Sequence, residues 1–135
     1  MVMLDFGAMV AQHQLRNGQF FAFEHPAGAT SWSQPSLQAL ANDPRCFSVD
    51  FDQCQVCLRC PKTGKLIKKR TRLLSNAPLI KDIFAPLQCK CTSPHAHIEG
   101  SVNGMSLSVF CQHYPAEFCE KLAEAVQLTV RRVER

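Results

Sequence analysis

The chain has 135 residues, 46% of them hydrophobic, with 15 basic against 11 acidic side chains and a formal net charge of +4. That is about one domain's worth of polypeptide, with enough apolar side chain for a core, which excludes a disordered tail or an extreme polycation. No stretch approaches the roughly 20 apolar residues that a membrane helix needs. Met1 to Val10 includes Asp5 and lacks the basic start and apolar run of a signal peptide. An intracellular protein is expected, nuclear in a eukaryote and cytoplasmic in a prokaryote or phage, with no membrane partner.

Residues 2–17 place Met3, Phe6, Met9, Val10 and His13 at helical spacing before the stop signal Asn17-Gly18. Residues 19–24 read as an apolar strand that ends on Glu24, His25 and Pro26. A loop over 26–29 follows, and Thr30 or Ser31 can cap a helix through about Ala41. Asn42-Asp43-Pro44 breaks it, and the alternation over 46–51 predicts a second strand. After a basic loop containing Pro61 and Gly64, residues 71–76 read as a third strand and 78–83 as a short helix. Strands alternating with helices predict an α/β class: a partial Rossmann-like, mostly parallel sheet flanked by helices over residues 1–84. Residues 85–135 form a Cys/His-rich segment and a terminal helix, in a single domain or domain fragment. That helix starts at Tyr114-Pro115 and presents Phe118, Leu122, Ala125 or Val126, and Val130 on one face.

Neighbouring parallel strands would bring Glu24-His25-Pro26, Asp52-Gln53-Cys54 and Ser75-Asn76 to one rim of the sheet, where open α/β folds bind ligands. Glu24 is the leading candidate for a working carboxylate, with His25 beside it; the alternative is an ordinary strand-end carboxylate. Adjacent strand residues point to opposite faces, which argues against the two acting on one substrate atom as a hydrolase pair. Trp32 reads as a seal between helix and sheet rather than a platform for a base. Lys62, Lys65, Lys68, Lys69, Arg70 and Arg72, preceded by Arg59, form a basic cluster that can neutralise phosphates, so a nucleic-acid partner is expected. A solvated hairpin tip is the other reading.

Eight cysteines without a secretion signal favour free thiols or metal ligands, with Cys46 and Cys111 read as buried small hydrophobes. Two groups have ligand chemistry: Cys54, Cys57 and Cys60, and the stronger Cys89, Cys91, His95 and His97, whose thiolates and imidazoles suit zinc. Cys119 or His113 can stand in for one of the local four. No glycine-rich phosphate loop, Gly-x-Ser-x-Gly elbow or His-Glu-x-x-His helix is present.

Phe23-Glu24-His25-Pro26, Ser31-Trp32, Asp52-Gln53-Cys54, the run from Lys69 to Asn76, and then Cys89, His95 and His97 occur in an order that is similar to domains of phage proteins and of open reading frames in eukaryotic mobile elements such as retrotransposons. The order also distantly resembles the later half of DNA cytosine-5 methyltransferases. The resemblance implies a Rossmann-like sheet, a flipped-base or other nucleic-acid substrate with DNA ahead of RNA, Glu24 holding the target base, and Lys69 to Arg72 supporting the base pocket. His25 and Pro26 depart from the methyltransferase motif, and no Pro-Cys nucleophile loop or glycine-rich turn for S-adenosylmethionine precedes Glu24. S-adenosylmethionine is thus expected only in a complete parent protein. Two expectations stand: a methyltransferase-like nucleic-acid-binding module, degenerate or partial as an enzyme, and a small zinc-stabilised interaction domain without catalysis. Neither fixes an oligomeric state.

Overall fold

The computed structural model describes residues 2–98, 100–102 and 104–134. Helix α1 spans Val2–Arg16, strand β1 Ala22–Pro26, helix α2 Pro35–Ala41 and strand β2 Phe47–Asp52. Strand β3 follows at Arg70–Ser75 and helix α3 at Pro78–Phe84. A two-stranded ribbon of β4 (Ser101–Val102) and β5 (Met105–Ser106), a single turn α4 (Leu107–Phe110) and the long helix α5 (Ala116–Glu134) complete the chain. Proline occupies the first turn of both α2 and α3, where its missing N–H leaves no helical hydrogen bond unmade.

The main sheet has the order β1-β3-β2, and β3 runs antiparallel to both neighbours. This corrects the expectation of a mostly parallel, Rossmann-like sheet. Helix α2 does carry the chain from β1 to a strand of the same direction, as the alternation of strands and helices predicts. The gap between those strands is filled by β3 arriving from the other end. Without a run of adjacent parallel strands there is no doubly wound crevice, which is the frame a Rossmann-like S-adenosylmethionine site needs.

The antiparallel register also separates the three strand ends. His25 and Asp50 both pair with Arg72, so the ends of β1 and β2 share one rim. Ser75 pairs with Ala22 and Phe47, which puts Ser75-Asn76 at the opposite rim. There the two residues staple the incoming chain: Ser75 Oγ donates to the Phe21 carbonyl at 2.5 Å, and Asn76 accepts from the Phe21 N–H and donates to the Gln19 carbonyl. The staple holds residues 19–21 outside the ladder, so β1 starts at Ala22, later than its apolar pattern suggests.

Successive residues of β3 face opposite layers. Leu73 packs with Val49 and Phe51 of β2, Ile80 and Phe84 of α3, and Phe118 and Ala125 of α5. Leu74 packs with Phe21, with Ala8, Ala11 and Leu15 of α1, and with Leu37 and Leu40 of α2. The result is three layers, α1 and α2 on one face of the sheet and α3 and α5 on the other. Close approach of α1 requires Gly7, since a Cβ there would lie 2.8 Å from the Phe23 ring. A third cluster of Leu58, Cys60, Ile67, Leu107 and Cys111 underlies the 58–67 hairpin and α4. Among the described residues no helix is long and apolar enough to cross a membrane.

Candidate metal centre

The chain leaves β2 at Asp52 and turns through Gln53–Val56, a short 3-10 segment that buries Cys54. It leaves α3 at Phe84 and reaches Cys89 and Cys91, which have no regular structure of their own. Asp52 joins the two segments. Its carboxylate is 2% exposed, accepts the Cys89 backbone N–H at 2.7 Å and pairs with Arg70 at 3.2 Å. Arg70 in turn donates to Gln88 Oε1 at 3.0 Å. A carboxylate is hard to bury without such partners, and here they fix where the Cys89 segment begins.

The ligand atoms of Cys54, Cys89, Cys91 and His95 all lie within 4.8 Å of one another. Cys89 Sγ and His95 Nε2 are 3.5 Å apart, and the Gln55 side-chain amide donates to Cys91 Sγ at 3.5 Å and to Cys54 Sγ at 3.6 Å. These separations suit the edges of a tetrahedron around an ion about 2.3 Å from sulfur and about 2.0 Å from nitrogen. The backbone N–H of Cys91 holds the Cys89 thiol below its usual range, with Lys68 contributing a smaller charge effect. Burial pushes the Cys54 thiol up to about 12, so in the metal-free pocket its proton stays on. The group can hold a metal ion.

Three of the four expected ligands are thus together. His97 is not: it is exposed and lies outside the group, while Cys54 from the other cysteine cluster supplies the missing ligand. The Ala96 N–H between His95 and His97 bonds to the Leu66 carbonyl, which ties this segment to the hairpin, with His95 half-buried in the group and His97 exposed to solvent. Cys57 adopts a left-handed backbone (φ 64°) and is exposed, and Cys60 is buried in the hairpin cluster. Cys119 and His113 are both exposed and outside the group.

Comparison with protein-family models, curated proteins and solved structures returns no match. What the site can hold follows from its donors alone.

Glu24 lies on the α5 side of the sheet, opposite Leu73, and its Oε2 accepts the Tyr114 hydroxyl at 2.6 Å. His25 lies on the other face, opposite Arg72 and edge-on to Trp32 at 5.9 Å. The two side chains do not converge. Trp32 packs with Phe23 and the α1–α2 cluster and donates from its indole to the Pro26 carbonyl.

The six cationic candidates divide in two. Lys69 donates to the Cys111 carbonyl at 2.7 Å, Arg70 is held by Asp52 and Gln88, and Arg72 forks onto Asp50 at 2.8 and 3.1 Å with its guanidinium 5.4 Å from the Trp32 ring. These three brace the fold. Lys62, Lys65 and Lys68 are exposed on the hairpin and its exit.

Proposed function

We propose that this chain is a small zinc-stabilised binding domain in which Cys54, Cys89, Cys91 and His95 hold a structural Zn²⁺. The convergence of three thiols and one imidazole from segments on either side of β3 and α3 carries the reading. Thiolate and imidazole are the donors zinc prefers, while calcium and magnesium take oxygen and iron–sulfur clusters usually take four cysteines. Four protein ligands fill a tetrahedron and leave no position for substrate, which favours a structural over a catalytic ion. Gln55 and the Cys91 N–H orient and stabilise the sulfurs as outer partners of a metal site do.

The test is metal content by mass spectrometry together with thermal melting. One equivalent of zinc is expected, with a lower Tm after chelation because metal binding free energy is folding free energy. Cys54→Ser and His95→Ala should lose the ion, and His97→Ala should keep it. Stoichiometric zinc retained in Cys54→Ser, or a Tm indifferent to chelation, would overturn the assignment.

A further inference from the structure

We infer that the cleft between the 58–67 hairpin and the 91–94 segment binds the backbone of single-stranded nucleic acid, a reading that rests on the metal centre proposed above and gives that domain its partner. The cleft has a volume of about 280 Å³ and is bounded by Arg59, Lys65 and Leu66 on the hairpin side and by Thr92, Ser93 and Pro94 beyond the ligand Cys91. Residues 58–72 carry seven basic side chains and no acidic one, and residues 88–98 carry Lys90 and no acidic one. With Lys69, Arg70 and Arg72 engaged within the fold, Arg59 and Lys65 remain exposed on the cleft itself, and Lys62, Lys68 and Lys90 are exposed on the adjoining hairpin, its exit and the segment between Cys89 and Cys91. Arg59 gives one N–H to the Gly64 carbonyl and keeps the rest of its fork for another acceptor.

A row of cations with hydroxyls opposite is what a chain of phosphates selects, because each neutralised phosphate releases counterions and arginine meets phosphate oxygens with paired donors. Leu66 and Pro94 add apolar surface, which suits the flat face of an unstacked base; a duplex stacks its bases inward and withholds those faces. The volume is of the order of one nucleotide, so the cleft takes one strand. Because Cys91 both ligates the metal and borders the cleft, the ion sets the position of Thr92 to Pro94. Strand binding and metal loading are therefore coupled.

The experiment is fluorescence anisotropy of zinc-loaded full-length protein with a labelled oligothymidylate at two salt concentrations. Duplex DNA of equal length and polyglutamate serve as competitors. Binding that weakens with salt is expected, with both competitors poorer than the single strand. Lys62→Glu combined with Lys65→Glu should weaken it on the order of tenfold or more while zinc content and Tm stay unchanged, and Arg131→Ala with Arg132→Ala on α5 should leave it unchanged. No binding by zinc-loaded protein, equal binding of the duplex, equal competition by polyglutamate, or an unaffected paired hairpin variant would each overturn the inference. If protein stripped of zinc binds the strand equally well and the hairpin pair abolishes it, the cleft stands and its coupling to the metal falls, whereas the metal reading itself falls only if the purified protein carries no zinc.

Discussion

Tyr114 is the chain's one tyrosine, and its hydroxyl is committed to Glu24. Burial and the neighbouring carboxylate push its pKa up to about 12. Its folded value thus lies above the ordinary value of about 10, so the stabilisation is complete below about pH 10 and is lost as pH rises towards 12. Absorbance titration of the phenolate should read this group directly, and Glu24→Gln should move the midpoint down towards 10; an unmoved midpoint would mean that Glu24 does not hold Tyr114 in solution. Asp52 illustrates a different kind of residue. Removing its carboxylate in Asp52→Ala strands the Cys89 N–H and releases Arg70, at a cost of about 1–3 kcal/mol, with zinc affinity falling about 10–100-fold. Denaturant melts and competitive chelation check both, and wild-type values in either would remove Asp52 from its anchoring role. Neither role was legible in the sequence. The Asp-Gln-Cys segment stands out as polar groups at a strand end, but its meaning depends on Cys89, which reaches Asp52 only through the docking of α3 on β2.

The positions of the long helices were legible because their cause is local, but the inward face of α1 was not: Met3, Phe6, Met9 and Val10, spaced as a core face, are exposed, and Ala8, Ala11 and Leu15 pack inward instead. The first half of α5 buries Phe118 and Ala125 and half-buries Leu122, as its spacing predicts, while Thr129 takes the inner position further on and Val126 and Val130 stay exposed. Phe118 stacks on Phe51 at 5.5 Å and touches Phe84 at 5.6 Å, so it is the residue that fixes α5 to the sheet. Phe118→Ala should cost about 3–5 kcal/mol in chemical denaturation, and Val126→Ala under about 1 kcal/mol; equal losses would mean that α5 is not docked through this ring. Strand direction was not legible, since an alternating pattern fits either direction of pairing. The helix between β1 and β2 signals a crossover, yet nothing near either strand announces that β3 will lie between them. The ribbon β4–β5 is too short for any periodicity to mark it.

At the scale of the whole molecule, the basic segment and the cysteine clusters are plain in the composition, but their division of labour is a property of the assembled fold. Three cations serve the interior and the others face solvent because β3 carries Arg70 and Arg72 into cross-strand pairs with Asp52 and Asp50. The order β1-β3-β2 has a further consequence for how the protein comes into being. As a ribosome delivers the chain, α1, β1, α2 and β2 all emerge before a single rung of the sheet can close, for β1 and β2 share no hydrogen bond with each other. Strands β1 and β2 must wait for residues 70–75 to lie between them, although α1 and α2 can already pack on each other through Ala8, Ala11, Leu37 and Leu40. Cys54 likewise waits until His95 has been made. The sheet therefore closes only once residue 75 has been made and the metal centre only once His95 has, so neither can form from the segments before β3 alone.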